Sequence, residues 1–476
     1  MSATKVIHSV GIDIGTTTTQ VIFSELELVN RAPASQVPHY EFARRDIAYV
    51  SPVIFTPMDE IGVVNQSRLH AFIHEQYKAA GLKPEDVESG AIIITGETSK
   101  AKNARPTIME LAQTLGDFVV ATAGPHLESI IAGQGSGAAS HSKERACTVL
   151  NIDIGGGTSN YAVFENGRVI DSACLNIGGH LVETDEAGRI TVVRAPARIM
   201  CESLFGAQFD PMQMTSVQLS ELMKLMAQTI TQVACGQVSA VAQKLMMTDA
   251  LKGHPYQSIF LSGGVGECYY SPENIHGTFS FKDTGPLLAE ALHNCSELSV
   301  LTRVRPAQTV RATVIGAGAY TLSLSGSTIW LNADQLPIKN VPVLPSGLQW
   351  AQVGSSSALV DAWALAATRM DLDTKASLYA LALPVDVPVT YQNVLIISEA
   401  LQQFNKQNPN PHPLLVMSKQ DLGKVLGMEL QPYLGNRSLA VVDEVETREG
   451  DFVDIGKPFF GGDVVPLTVK SLAFPA

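Results

Sequence analysis

A short pattern occurs twice in this chain, and the repetition constrains its architecture more than any other feature. GIDIGTTTTQVIF begins at Gly11 and NIDIGGGTSNYAVF at Asn151, 140 positions later, with Ile12/Ile152, Asp13/Asp153, Ile14/Ile154, Gly15/Gly155 and Thr18/Thr158 in common. Each copy is an apolar run ending in Asp, a tight turn of small residues and a second apolar run, which is the pattern of a β-hairpin. Two such hairpins predict a chain built from two similar halves. The 476 residues leave room for about three domains at roughly 150 residues each.

After the first hairpin, a stretch bearing Pro33, Pro38, Pro52 and Pro57 predicts mixed strands and loops, then an amphipathic helix over 66–80 and a buried strand, AIIIT, at 91–95. Residues 107–115 and 125–132 read as helices, and the small-residue stretch 133–140 as a hinge. After the second hairpin come a long, nearly uncharged helical region over 216–247, a strand at 258–261 ending in Ser262-Gly263-Gly264, and RATVIGAGAYTLSL at 311–324, read as a glycine turn opening a helix. The uncharged stretch 312–333 raises the question of a membrane span. Gly316, Gly318, Gly326 and its many Ser and Thr favour a buried helix and turn in a soluble protein. Pro337, Pro342 and Pro345 mark a linker over 336–347. Beyond it, strand 378–383, helix 391–403, strand 414–417, helix 420–428, strand 438–442 and two strands near Phe452 and Val464 form a smaller unit. The fold class expected is α/β, with lobes over 1–140 and 141–330 and a C-terminal α/β region over 331–476, whose packing on the lobes is left open.

Composition removes several function classes. Lys and Arg number 33 against 46 Asp and Glu, a formal charge of −13, and no local basic patch interrupts it; nucleic acid and anionic membrane surfaces are not expected partners. The 6 cysteines form no CxxC pair, so zinc ribbons, thioredoxin-like redox chemistry and iron–sulfur clamps have no support. The N-terminus MSATKVIHSVGIDIG enters a strand pattern directly and is not read as a signal peptide.

A strand-terminal Asp followed by Gly/Thr turns suits a nucleotide's phosphates. Glycines reach positive φ and present successive N–H groups as an anion nest, and Thr hydroxyls add donors. The expected cradles are Gly15, Thr16, Thr17 and Thr18 in the first copy and Gly155, Gly156, Gly157 and Thr158 in the second. A carboxylate beside phosphate repels it unless a divalent cation lies between, so Asp13 and Asp153 imply Mg²⁺ held through water. The alternative is a pair of hairpins whose Asp only stabilises the turn. Gly263 and Gly264 would let a purine or ribose lie against backbone, although a glycine at a strand–helix junction also serves packing. There is no GxxxxGK[ST], which excludes a P-loop, and no GxGxxG after the first strand, which disfavours a dinucleotide site. His180 beside Gly178-Gly179 reads as a loop or packing histidine, and Met223, Met226, Met246 and Met247 as core.

The ordered set Asp13-Ile14-Gly15-Thr16-Thr17, Asp153-Ile154-Gly155-Gly156-Gly157-Thr158, Ser262-Gly263-Gly264 and Ile315-Gly316-Ala317-Gly318 resembles the phosphate, adenosine and connecting motifs of the actin, Hsp70 and sugar-kinase ATPase superfamily, over about the first 330 residues. More narrowly, ITGETSKAKNA at 94–104, NIDIGGGTSNYAVFENG at 151–167, NIGGHLVE at 176–183 and DIGKPFFGGDVVPLTVKSLAF at 454–474 resemble the family of ethanolamine ammonia-lyase reactivating proteins. The resemblance implies duplicated actin-like (ribonuclease H-like) ATPase lobes around a nucleotide cleft, ATP and Mg²⁺ as cofactors, and adenosylcobalamin-dependent ethanolamine ammonia-lyase as partner. The factor would act by releasing damaged cobalamin in exchange for intact cofactor. It adds Gly178, Gly179 and Gly316 to the nucleotide-binding set. Glu97 and Asp153 become the catalytic residues, and Thr98 and Asp171 join Asp13 and Asp153 as metal ligands. Glu97 also reads as an exposed helix-start residue favoured by the dipole. A cytoplasmic location is implied, with microcompartment association and homo-oligomerisation left open. A metabolite kinase and a filament-forming relative of the same superfamily remain alternatives.

Overall fold

The two repeated hairpins are the centres of two sheets with the same strand order. The computed structural model describes residues 4–15, 18–30, 40–58, 63–94, 115, 118–122, 124–275, 277–295, 302–306, 319–326, 338–435, 437–443, 445–455 and 464–471. In the first sheet the strands are β1 (Thr4–Ile14), β2 (Thr18–Asn30), β3 (Tyr40–Val50), β4 (Ile54–Phe55), β5 (Val87–Ile94) and β6 (Phe118–Thr122). Their order is β3-β2-β1-β5-β6, with β4 beside β2; the first three are antiparallel, and β5 and β6 run parallel to β1. The second lobe holds β7 (Thr148–Ile154), β8 (Ser159–Glu165), β9 (Arg168–Leu175), the hairpin β10 (Val182–Thr184) and β11 (Ile190–Val193), then β12 (Ser258–Ser262) and β13 (Thr302–Val304). Its main sheet runs β13-β12-β7-β8-β9, again three antiparallel strands followed by two parallel ones. The register repeats as well: Asp13 opposes Gln20 and Asp153 opposes Asn160, so each pair is related by the same offset as the sequence motif. This shared topology is the duplicated actin-like fold expected from the sequence.

Helices cover these sheets where the sequence supplies apolar stripes. The helices of the first lobe and its junction are α1 (Gln66–Ala79), α2 (Pro125–Gly135) and α3 (Ala138–Arg145). α1 buries Leu69, Phe72, Ile73 and Tyr77 against Ile12, Ile14 and Phe23. The second lobe adds α4 (Ala195–Phe205), α5 (Ser216–Ala234), α6 (Ala240–Leu245), α7 (Gly263–Tyr270) and α8 (Gly285–His293). Met223 and Met226 are core residues there, as expected.

The third sheet contains β14 (Ala319–Gly326), β15 (Ile338–Pro345), β16 (Ala380–Ala382), β17 (Leu414–Met417), β18 (Leu439–Val442), β19 (Asp451–Ile455) and β20 (Val464–Ser471), in the order β14-β20-β19-β15-β16-β17-β18. Strands β15 to β18 are parallel neighbours joined by α9 (Ser356–Arg369), α10 (Tyr391–Gln407) and α11 (Gly423–Leu430). Right-handed crossovers between consecutive parallel strands put all three helices on one face. One core accordingly joins Leu344, Leu381, Val416 and Val441 to Trp363, Leu401 and Leu426.

Four sequence expectations are corrected. Residues 319–326 are a strand paired with β20, not a helix. The alternation Tyr320-Thr321-Leu322-Ser323-Leu324-Ser325 has the two-residue period of a strand, which the preceding glycines overshadowed. The proline-bearing segment read as a linker is the interior strand β15, with Val341, Val343 and Leu344 fully buried; a bulge between Ile338 and Val341 interrupts its pairing to β19 ahead of Pro342. The region 216–247 is two helices, broken where Gly236 takes a left-handed φ of 72°. The hinge over 133–140 is the end of α2 and the start of α3, separated by Ser136 and Gly137 alone. The helix expected over 107–115 lies outside the described residues apart from Leu115. Among the described residues no helix is long and apolar enough to cross a membrane.

Candidate functional site

Strands β1 and β7 end at the motif, so each delivers its Asp to the last position but one before a turn. Asp153 is 8% exposed, and its Oδ1 accepts a 2.6 Å hydrogen bond from Ser262 Oγ, which in turn accepts from Asn151 Nδ2 at 3.2 Å. Ser262 ends β12, the strand parallel to β7, and this register brings it opposite Asp153. Asp13 Oδ1 is buried with no hydrogen-bond partner among the described residues. Burial pushes its carboxyl up to about 7, and the charge of Asp153 adds to the shift. Burial also lifts Asp153, to about 6, against the opposing pull of the Ser262 hydrogen bond. The two lobes thus bring two carboxylates within each other's field in a place that strips them of water.

The turns beside these carboxylates are built alike. Gly15 N–H donates to Thr18 O at 2.9 Å and Gly155 N–H to Thr158 O at 3.0 Å. In the first copy Thr56 Oγ1 donates to Gly15 O at 2.7 Å and meets Thr19 Oγ1 at 3.0 Å. In the second, the Gly178-Gly179 loop lies backbone to backbone on the turn. Gly179 N–H donates to Gly155 O at 2.9 Å and His180 N–H to Gly156 O at 2.7 Å. A Cβ on Gly178 would fall 2.5 Å from Gly156 O, and one on Gly263, whose φ is +84°, would fall 2.4 Å from Ile154 O. These two glycines hold the site's backbone layers together. Gly157 and Gly264 are different: a Cβ on either meets nothing within 4 Å, so each opens onto space. The left-handed φ expected for the phosphate glycines is not used, because none of residues 155–157 adopts it. What the glycines of that turn supply is bare backbone.

The other expected residues divide. Asp171 lies within β9 and serves the scaffold. Its Oδ2 accepts from Lys252 N–H at 2.9 Å and contacts His254 Nε2 at 2.8 Å, pinning the loop before β12. It does not join the carboxylate pair. His180 is a buried packing histidine, 3.4 Å from Glu183 and 3.3 Å from Asp283. It borders a cleft of about 560 Å³ that Phe55, Asp185 and Lys282 also line. Thr16, Thr17, Glu97, Thr98 and Gly316 lie outside the described residues. Sequence reasoning missed Ser262 as the partner of Asp153, having read the SGG stretch only for its glycines. It also missed Asn160, buried opposite Asp153, which donates through Nδ2 to Glu128 Oε1 of α2 at 3.3 Å. The signal for Asn160 was its place in the repeat, where Gln20 is the equivalent.

Among the described residues no cluster of three or more metal-ligating side chains occurs. Two carboxylates, one with an orphaned buried oxygen, suit Mg²⁺, which keeps several waters and takes one or two protein carboxylates alongside phosphate oxygens.

A family model described as ethanolamine utilisation protein EutA matches residues 5–475. The chain is 55% identical over 475 residues to the ethanolamine ammonia-lyase reactivase EutA of Escherichia coli (strain K12), an alignment covering 99% of this chain and 100% of that protein. It is likewise 55% identical over 474 residues to the reactivase of the same name from Salmonella typhimurium (strain LT2), with 99% and 100% covered. Among solved structures, a Ppx/GppA family member from Aquifex aeolicus is similar at 13% identity and a TM-score of 0.38, over 65% of this chain and 97% of that one. With the family match and the two relatives spanning the chain almost end to end, this chain belongs to the ethanolamine utilisation protein EutA family.

Proposed function

We propose that this chain is a cytoplasmic, ATP- and Mg²⁺-dependent reactivating factor for adenosylcobalamin-dependent ethanolamine ammonia-lyase, releasing damaged cobalamin so that intact cofactor can enter. The observation that carries the reading is the opposed pair Asp13 and Asp153, one from each lobe, in a chain 55% identical along its length to curated reactivases. Mg²⁺, when bound, would neutralise the charge between these carboxylates and the phosphates of ATP. Ser262 orients Asp153 and favours its ionised form. The bare backbone of Gly155, Gly156 and Gly157 and the tied turn at Gly15 and Thr18 receive phosphate oxygens, with Thr158, Thr16 and Thr17 as further donors. Gly178 and Gly179 fix the second turn from behind. Gly263 sets the start of α7, and the open face of Gly264 accepts the nucleoside, a role in which Gly316 shares by its motif alone. Glu97 orients the attacking water and Thr98 assists the metal. Because the site is divided between two lobes, ATP and ADP favour different separations of them, and a partner that binds one separation better than the other can be pried open.

The test uses lyase inactivated with a cobalamin lacking the adenosyl group. The chain with ATP, Mg²⁺ and free adenosylcobalamin is expected to restore deamination of ethanolamine, and omission of either ATP or free adenosylcobalamin to abolish recovery. Recovery without free adenosylcobalamin would rule out exchange, since swapping cofactors does not rebuild the lost group.

A further inference from the structure

Among the described residues, large apolar side chains left in solvent gather on the outer face of α10 and α11. Val389 precedes α10 and Tyr391 opens it, Leu395 lies one turn beyond Tyr391, Val425 and Met428 are one turn apart on α11, and Tyr433 follows that helix. Tyr391, Met428 and Tyr433 are 63%, 58% and 60% exposed, which is unusual for side chains of this size. Tyr391 Oη donates to Glu429 Oε2 at 3.2 Å, tying the start of α10 to the end of α11, so the group is one patch and not scattered single residues. Its place in the fold is outward. α9 is the helix of this unit that packs on α2, and α11 sits over β18, the terminal strand of the sheet.

Charge narrows the occupant. The same helices and loops carry exposed Asp386, Glu399 and Asp421 and half-buried Glu429, against Lys406 and Lys424, while Lys419 is paired with Glu446. A second copy placed face to face would oppose like charges, and anionic lipid would be repelled. An apolar centre framed by carboxylates suits a protein face that is apolar in the middle and basic at its rim. We propose that the α10–α11 face is the surface by which this chain engages ethanolamine ammonia-lyase, through an apolar, basic-rimmed face of that enzyme. The inference rests on the reactivating function proposed above and adds its docking surface.

The experiment measures binding of the purified full-length chain to purified lyase, with reactivation, ATP hydrolysis in the absence of lyase, and Tm followed in parallel. Leu395→Glu/Met428→Glu and, separately, the uncharged Tyr391→Ser/Val425→Ser are expected to weaken binding at least about tenfold and to lower reactivation with it. Lyase-free hydrolysis stays at the wild-type value because none of these side chains belongs to the proposed nucleotide site, and Tm falls only slightly, most where the Tyr391–Glu429 hydrogen bond is lost. Glu399→Lys weakens binding, and added salt weakens it for the wild type. If the wild type binds and reactivates the lyase and both double variants match it, this surface is wrong while the function stands. If the wild type does neither, the function fails and the docking surface with it. Conversion of a dimer to a monomer by the variants, with lyase affinity unchanged, would identify a second copy as the occupant and overturn the proposal.

Discussion

Asp13 and Asp153 hold their protons more tightly in the folded chain than in the unfolded one, where Asp titrates near about 3.9. Folding therefore takes up protons. The sign follows: these two groups contribute stability at low pH that is lost as pH rises through about 6 and about 7. Asp13→Asn removes the larger part of this penalty, so in nucleotide-free protein its Tm is expected to exceed that of wild type at pH 8, by less at pH 5, and to converge with it only below about pH 4. On the function proposed above, the same variant is expected to weaken Mg²⁺-dependent ATP binding. A Tm difference that is independent of pH, followed by calorimetry, would show that the buried carboxyl is not the source. Ser262→Ala tests the neighbouring contact. Removing a 2.6 Å hydrogen bond to a carboxylate costs about 1.5–3 kcal/mol and raises the proton affinity of Asp153 further. Mg²⁺-ATP binding is expected to weaken about tenfold at pH 7, with the deficit shrinking at higher pH.

At the scale of elements, the second hairpin functions as part of a stack: the turn after β7, the Gly178-Gly179 loop against it, and the start of α7 against the end of β7. Three glycine substitutions separate packing from ligand contact. Gly178→Ala and Gly263→Ala each drive a methyl into a carbonyl at about van der Waals overlap, and Gly263 also holds a left-handed φ; both are expected to lower Tm and nucleotide affinity together. Gly157→Ala meets open space and no left-handed φ, so Tm should be unchanged while ATP affinity falls, because the added methyl occupies room left for phosphate. Thermal melts read beside calorimetric titrations distinguish the two patterns, and retention of ATP affinity in Gly157→Ala would remove that turn from the site. The same stack explains Asp171. A carboxylate three residues deeper in β9 than the level of Asp153 lies beside the loop that leads into β12, and its hydrogen bonds secure that loop.

At the scale of the whole molecule, the second lobe and the third unit are joined through α2. Its Leu127 and Ile131 belong to the core of the third unit, while Ile130 packs with Val149, Ala162 and Phe164 of the second lobe. The N-terminus of this helix has no cap of its own. Asp371, from the third unit, supplies one by accepting from Leu127 N–H at 3.0 Å, and Gly124 leaves room for it, since a Cβ there would fall 2.3 Å from Asp371 Cγ. Arg369 adds a hydrogen bond to Ile170 O at 3.4 Å. Asp371→Ala is expected to destabilise the chain by about 1–2 kcal/mol, the value of a lost helix cap, and to speed hydrogen exchange at Leu127. Asp371→Asn keeps an acceptor and should lie near wild type. Unchanged exchange at Leu127 in the alanine variant would mean that the third unit does not hold this helix.

The sequence alone determined the duplicated hairpin, and with it the fold class, because a strand ending in Asp-Ile-Gly and its turn are local: alternation and glycine placement decide them without distant contacts. Asp13 and Asp153 were legible for the same reason, as were most strands and helices of the third unit, whose apolar runs are bounded by turn residues. The tertiary structure decided what depends on which strand lies next to which. Ser262 reaches Asp153 only through the parallel register of β12 on β7, and Asp171 falls out of reach only through the register of β9 on β8. Proline-bearing β15 is a strand because partners on both sides supply pairing that its own composition argues against, and 319–326 is a strand because β20, some 140 positions away, pairs with it. Alternation within one segment, as over 320–325, can mark a strand but not its partner, so only the folded chain reveals these pairings.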